Sequence, residues 1–455
     1  MAFLTTTATM DVPQSGSKVR VALESRTGKQ VHEGVVLSPA GDGLLTIKLQ
    51  NGYNLSHPID KIESLEIIDT STEIIDTKSQ IGRYDGDPNL PLVVVLHTGG
   101  TIASKVDYET GAVVARFEPD EILDSVPELK PIARIEAVLI GNMFSDDIRP
   151  RHWNQMIRET ETAFQRGANG VVITHGTDTM GISSAALAFS WSGDGGRPPG
   201  PIVFTGSQRS SDRGSSDAKE NLIAAVYVAG HGPKPSGNGD STMIVMHESS
   251  SDGILSILPG ISTRKMHSST RAAFQSIDIR QLGRVYVEGS KCSIEMFRDT
   301  GVQRDIGKPI LFNENTNIAE IIAGPHLRPE HIDALASTNP DALHIHGTGL
   351  GHLPIADPNR DSPENPAIQQ SLTSFIENGG IVVMSTQAIN GPVHLDVYSK
   401  GREQREMGII GHGSVGPPES SLVKLHYLLS KLGPNHSEIN SAWSNSLCGE
   451  IVDIK

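Results

Sequence analysis

Hydroxyl, acidic and basic side chains crowd four short stretches of this sequence. Thr98-Gly99-Gly100-Thr101 sets two hydroxyls around a glycine pair, and Ser145-Asp146-Asp147 offers a hydroxyl beside two carboxylates. Thr174-His175-Gly176-Thr177-Asp178-Thr179 brings three hydroxyls, an imidazole and a carboxylate, and Thr263-Arg264-Lys265-Met266-His267 adds base and positive charge. A threonine attacks a carbonyl carbon only when a base takes its proton and N–H donors hold the developing oxyanion. A lysine serves as such a base when burial or neighbouring cations depress its affinity for the proton. An aspartate beside it can orient the amine or bind an ammonium group of a substrate. These are the parts needed to hydrolyse an amide through a covalent threonine intermediate.

Each part also has a plainer use. Thr177 and Thr179 are suited to capping a following helix, and Lys265, with Arg264 and Arg271 nearby, suits a solvated basic surface. His97 and His175 fit hydrogen-bonded core positions as well as catalytic ones. His344 and His346 alternate along an apolar segment without acidic or cysteine neighbours in sequence, so no metal site is expected. Gly347-Thr348-Gly349-Leu350-Gly351 lacks the lysine of a phosphate-binding loop and the spacing of a dinucleotide fingerprint, and reads as a tight turn. Neither a Gly-x-Ser-x-Gly elbow nor a His-Glu-x-x-His pair occurs, which removes two common hydrolase routes.

The elements that would position these groups follow from apolar patterning. Leu92 to Leu96 is a short, β-branched apolar run, the mark of a strand buried on both faces in a parallel sheet. The glycine pair then lets the backbone turn sharply, and in an open α/β sheet such a turn lies at the carboxyl end of the strand, where ligands bind. Trp153, Met156, Ile157, Thr160, Ala163 and Phe164 share a helical face that Gly167 ends. Strands are expected at Gly170–Ile173, Ile202–Phe204 and Thr242–His247, with an Ala-rich helix after the second loop and another over Asp217–Ala229. The alternation predicts a mainly parallel sheet covered by helices. A second α/β unit is expected from about Lys308, with strands at Pro309–Phe312, Ala342–His346 and Gly380–Ser385, a helix carrying Ile368, Leu372, Phe375 and Ile376, and a last, strongly amphipathic helix over Ser421–Leu432.

The N-terminal part is different. Lys18–Leu23, Val31–Leu37, Leu44–Leu49 and Ile62–Ile68 are short alternating segments separated by Gly- and Asn-containing turns. They predict a small β-barrel of about five strands, a type of module that more often mediates interaction than catalysis. The expected organisation is a β-barrel domain over 1–82, a linker over 83–91, a large α/β domain over 92–300 and a small one over 301–455. In 455 residues there is no apolar run approaching the length of a membrane span. Met1–Met10 lacks the basic start of a signal peptide. Only two cysteines, Cys292 and Cys448, occur, too few and too far apart for a disulfide framework and in keeping with a reducing cytoplasm. A formal charge of −15 argues against a nucleic-acid surface spread over the chain.

Two of the four stretches resemble a known family. Thr98-Gly99-Gly100-Thr101-Ile102-Ala103 looks like the first signature of the bacterial-type L-asparaginases, and His175-Gly176-Thr177-Asp178-Thr179-Met180 like the second. The resemblance runs from about Leu92 to the C-terminus. It implies an amidohydrolase of a larger and a smaller α/β domain whose active site sits at a dimer contact. It implies further that Thr101 is the nucleophile, that Thr177, Asp178 and Lys265 handle protons together, and that Tyr108 lies on a mobile loop over the site. Ser145 and Asp146 fall where the family holds its substrate with a Ser-Gln pair, with aspartate here in place of glutamine. Backbone N–H groups near Gly100 and Thr177 would serve the oxyanion.

The added β-domain, ending in Ile47-Lys48-Leu49-Gln50-Asn51-Gly52-Tyr53-Asn54 and followed by a linker, resembles a narrower group, the D subunits of the archaeal glutamyl-tRNA(Gln) amidotransferases. That resemblance implies hydrolysis of glutamine to supply ammonia to an E subunit of the same amidotransferase, which binds Glu-tRNA(Gln) and uses ATP and Mg. It implies no cofactor and no metal in this chain. The alternative is a free-standing L-asparaginase or glutaminase with an extra β-domain. A non-catalytic scaffold is disfavoured because Thr101, Thr177, Asp178 and Lys265 are all present.

Overall fold

The computed structural model describes residues 13, 16–25, 28–37, 43–49, 53–69, 82–84, 86–100, 102, 104–106, 113–115, 126–211, 214–299, 301–414 and 416–451. Thr101 and Tyr108 therefore lie outside the described residues. The N-terminal segment forms a five-stranded antiparallel sheet in the order Asn54–Pro58, Leu44–Leu49, Gly28–Leu37, Lys18–Ser25, Ile62–Asp69. Its alternating residues Val19, Val21, Val36, Leu45, Ile47 and Ile62 make a small separate core.

The main sheet runs Lys291–Met296, Gly283–Glu288, Ile254–Pro259, Met243–His247, Ile202–Thr205, Gly170–Thr174, Leu92–His97, Arg134–Leu139, Gly82–Tyr84. The five strands from Met243–His247 to Arg134–Leu139 are parallel, and the margins on both sides are antiparallel. Counted along the chain, the parallel strands stand in the order 2-1-3-4-5. Strand order reverses between Leu92–His97 and Gly170–Thr174, so the crevice that accepts ligands in such sheets opens at their carboxyl ends. Val93, Val94, Val95 and Leu96 are wholly buried, each such side chain contributing about 1.5–3 kcal/mol, which makes this strand a fixed platform. The strand at Gly82–Tyr84 spans the expected boundary between β-domain and linker. An edge strand needs only a backbone ladder on one side, so no apolar run announces it.

Helices cover both faces of the sheet. Pro150–Gln165 buries Trp153, Met156, Ile157, Thr160 and Ala163 as its spacing predicts, and Ala218–His231 covers the other face with Leu222, Ile223, Ala225 and Val226. Met180–Ser192 is buried from Ser183 to Ser192 on every side. It is held between the sheet and Pro418–Leu432, with the Phe189 and Tyr427 rings stacked at 5.9 Å. Pro418–Leu432 is in turn buried along most of its length rather than amphipathic. It is not the last helix, since His436–Trp443 follows.

The smaller sheet is parallel, in the order Ile318–Ile322, Ala342–Gly347, Ile381–Thr386. The strand expected at Pro309–Phe312 is absent. That segment is extended linker whose amides are met elsewhere, Ile310 N–H by the Ser190 carbonyl and Phe312 N–H by Asn154 Oδ1. Among the described residues no helix is long and apolar enough to cross a membrane.

Two buried polar arrangements fix the ends of this architecture. Lys424 donates to Glu450 Oε1 at 2.7 Å and to the carbonyls of Trp443 and Asn445 at 2.7 and 2.8 Å, tying the C-terminal segment beneath Pro418–Leu432. At the carboxyl ends of the central strands, His97 Nδ1 lies 2.6 Å from Thr174 Oγ1. His175 Nδ1 lies 2.6 Å from the Gly176 carbonyl and Nε2 lies 2.9 Å from Ser183 Oγ. A carbonyl only accepts, so Nδ1 of His175 carries the proton and Ser183 donates to Nε2. Burial pushes His97 down to about 3 and His175 down to about 4, so both rings are neutral.

Removing Glu450 leaves the Lys424 ammonium buried and unpaired, and Glu450→Ala is expected to cost about 3–5 kcal/mol in a urea titration. Below about 6.5 the unfolded chain protonates histidines that the folded chain keeps neutral, so their contribution to stability is complete above that pH and falls from about 6.5 down to about 4 for His175 and about 3 for His97. His175→Gln should flatten that fall in urea midpoints measured by tryptophan fluorescence. An unchanged slope would show that His175 is not held neutral.

Candidate active site

Three loops leave the carboxyl ends of neighbouring strands and meet without intervening side chains. Gly99 and Gly100 turn with φ of +116° and +90°, angles that a side chain strongly disfavours. A Cβ on Gly99 would lie 2.3 Å from the Met143 carbonyl oxygen, and one on Gly100 2.8 Å from both N and Cα of Gly176. A Cβ on Gly176 would lie 2.8 Å from Cβ of Ser145. The loops at 98–100, 141–147 and 175–179 are thus in backbone contact. Thr98 holds its loop down by donating both its N–H and its hydroxyl to the Thr174 carbonyl, at 3.1 and 3.0 Å.

Ser145 and Thr179 lock the second loop to the third. Ser145 Oγ accepts from the Asp178 N–H at 3.2 Å, and the Ser145 carbonyl accepts from the Thr179 hydroxyl at 2.6 Å. Thr179 stands at the start of Met180–Ser192 yet makes no side-chain cap to it; its hydroxyl donates to the Ser145 carbonyl instead. Asp146 is exposed beside it.

Lys265 arrives from the short strand Thr263–Lys265, paired with Phe274–Ser276. This strand lies so close to Met180–Ser192 that a Cβ on Gly181 would meet the Thr263 carbonyl at 2.5 Å. From there Lys265 Nζ donates to Thr177 Oγ1 at 2.8 Å and to Asp178 Oδ1 at 2.8 Å. The lysine side chain is 13% exposed and that of Asp178 68% exposed. An amine, a hydroxyl and a carboxylate so linked form a path along which a proton can move, with the carboxylate open to a ligand. Thr177 is therefore not a helix cap, and Lys265 is not a free surface lysine.

Of the residues expected from sequence, the structure unites Gly100, Ser145, Thr177, Asp178 and Lys265, with Asp146 on the rim. His97 and His175 are buried, neutral supports. Gly176, Thr98 and Thr179 join the loops through backbone and hydroxyl contacts that the hydroxyl-rich stretches alone did not assign. Their signal was position, since each directly adjoins or follows the end of a buried strand. Two groups of potential metal ligands occur among the described residues, neither within the Thr177–Lys265 cluster. In one, Glu220 accepts from the Gly253 N–H and contacts His247, while Asp252 pairs with Arg271. In the other, Glu320 contacts His344 and His346, whose hydrogen bonds pull its carboxyl down to about 2.

The family "Asparaginase, N-terminal" matches residues 92–299, and "Glutaminase/Asparaginase C-terminal domain" matches residues 317–442. The D subunit of the glutamyl-tRNA(Gln) amidotransferase of Pyrococcus abyssi is 35% identical over 442 residues, 96% of this chain and 94% of that protein. Its counterpart in Sulfolobus acidocaldarius is 33% identical over 411 residues, 90% of this chain and 86% of that protein. Among solved structures, the thermostable L-asparaginase from Thermococcus kodakarensis is similar with a TM-score of 0.65 at 31% identity, covering 79% of this chain and 99% of that one. With loops of the two signatures meeting at the sheet's switch point and relatives aligned across the N-terminal sheet as well, the chain belongs to the asparaginase-like amidohydrolases and, within them, to the family of glutamyl-tRNA(Gln) amidotransferase D subunits.

Proposed function

We propose that this chain is the glutaminase component of a tRNA-dependent amidotransferase acting in the cytoplasm. The observation that carries the reading is Lys265 Nζ at 2.8 Å from both Thr177 Oγ1 and Asp178 Oδ1, beside a glycine turn that leads directly into Thr101. Thr101 Oγ attacks the side-chain amide carbon of glutamine, forming a C–O bond and an oxyanion that backbone N–H groups near Gly100 and Thr177 receive. The C–N bond then breaks as the nitrogen gains a proton, and ammonia leaves. Water hydrolyses the threonine ester and glutamate is released. The threonine proton is handled through Tyr108 or through the Thr177–Lys265 pair. Ser145, Asp146 and Asp178 hold the amino-acid head group of the substrate.

Ammonia then passes to an E subunit that binds Glu-tRNA(Gln) and uses ATP and Mg, and the chain works as a homodimer with its active site at the dimer contact. Residues 92–300 and 301–455 form the amidohydrolase, with the N-terminal sheet added to it. Relatives named as D subunits align across that sheet, whereas the asparaginase similarity covers 79% of the chain. This difference favours the amidotransferase component over a free-standing asparaginase.

Thr101→Val and Lys265→Met should each lower glutamine hydrolysis by about 100-fold or more while leaving the melting temperature near that of the wild type. Wild-type turnover in Thr101→Val would remove the nucleophile assignment. Glutamine hydrolysis should rise when the E subunit and Glu-tRNA(Gln) are added. Full activity on asparagine, indifferent to the partner, would instead identify a free-standing asparaginase.

A further inference from the structure

We propose that Glu320, His344 and His346 form a binding site for a divalent transition-metal cation, with zinc the best chemical match. The three residues come together through sheet register. Glu320 lies directly opposite His344 on adjacent parallel strands, and His346 follows two residues later on the same face. One row earlier, that face carries Ile318, Ala342 and Ile381, which pack into or against the hydrophobic core shared with the main domain. The polar triplet occupies the next two rows, toward the strands' carboxyl ends. The His344 side chain is fully buried, that of His346 is 18% exposed and that of Glu320 48% exposed.

The carboxylate lies from each imidazole about as far as ligands of one ion lie apart, and all three donor atoms are within 4.8 Å of one another. The same oxygen, Glu320 Oε1, lies 3.4 Å from His344 Nδ1 and 3.1 Å from His346 Nε2, and the two rings are 4.7 Å apart between centroids. A tetrahedral ion with ligands about 2.1 Å away holds its donors about 3.4 Å from one another. Two imidazoles and one carboxylate are a borderline ligand set that suits zinc, and they leave a fourth position for water or an incoming ligand. The buried surroundings hold unmet polar capacity. Ser385 Oγ, on the register partner of His346, has no hydrogen-bond partner among the described residues, a situation that native interiors rarely leave uncompensated. Glu320 also lines a cleft of about 340 Å³ together with Asp146, Arg149 and Thr179. An ion there is reached from the same opening as the rim of the amidohydrolase site.

The test uses the full chain, treated with a chelator and then dialysed against zinc chloride, with bound metal counted by mass spectrometry. Cobalt(II) in place of zinc reports coordination geometry through its visible spectrum. Glu320→Gln and His346→Ala alter groups that are partly exposed, and His344 is left intact because its burial makes it a folding risk. Asp252→Asn, in the other cluster, is the control. Wild type and Asp252→Asn should bind one zinc per chain and give the intense cobalt bands of a four-coordinate site. Glu320→Gln and His346→Ala should bind at least about 10-fold more weakly and lose those bands. Zinc should raise the melting temperature of the wild type by mass action and not that of the two variants. Equal zinc uptake by wild type and both variants, or no saturable uptake by the wild type, would overturn the proposal and leave the triplet as a hydrogen-bonded ion cluster.

Discussion

No side chain fits between Gly100 and Gly176, and the rest of the site depends on that absence. A Cβ on Gly100 would push apart the loops that follow the two strands flanking the switch point, and one on Gly176 would push its loop away from Ser145. Separation by even a methyl group would carry Thr98-Gly99-Gly100 away from Thr177, and Gly176 away from Ser145. The constraint is steric rather than attractive. It costs no side-chain ordering, and it is enforced by strands whose apolar residues are fully buried. Loops in general are the mobile parts of a domain. These are held by backbone contact, by the two bonds of Thr98 to one carbonyl and by the Ser145–Thr179 clamp.

Lys265 depends on the same frame from the opposite side. Its strand is placed by the approach of Thr263 to Gly181, and Gly181 belongs to a helix that has no solvent face through most of its length. That helix is wedged between the sheet and Pro418–Leu432, which is itself locked by the buried Lys424–Glu450 pair. The path from the C-terminal segment to the Lys265 amine is therefore continuous packing. A functional site built on buried helices and strands keeps its distances better than one built on free loops.

The parts of this architecture set by local pattern were legible in the sequence. The apolar runs at Leu92–Leu96 and Gly170–Ile173, the helical face from Trp153 to Ala163 and the hydroxyl-rich loops after strands all stand where patterning put them. What misled was segments whose partners are distant. Pro309–Phe312 is apolar enough for a strand, but its amides bond to Ser190 and Asn154, and the edge strand forms instead at Ile318–Ile322. Ser421–Leu432 reads as amphipathic from its polar Ser421, Lys424 and His426, yet each of these is buried. His344 and His346 had no acidic company along the chain. Register alone supplies Glu320, from a strand 24 positions earlier.

The asymmetry between Asp178 and Lys265 bears on what the site can hold. The backbone of Asp178 is fixed through its N–H to Ser145, while its carboxylate is mostly open and Lys265 is mostly enclosed. A carboxylate has about four acceptor positions, and the lysine uses one. The carboxylate is mostly exposed, so it can take an ammonium group without releasing Lys265. The enclosed amine, by contrast, has little water to compete with Thr177 and Asp178 for its hydrogens. Binding of an amino-acid head group by the outer half of Asp178 would then act on the same carboxylate that orients the lysine. In the proposed function, occupancy of the head-group position would thus be coupled to the Thr177–Lys265 path through a single side chain.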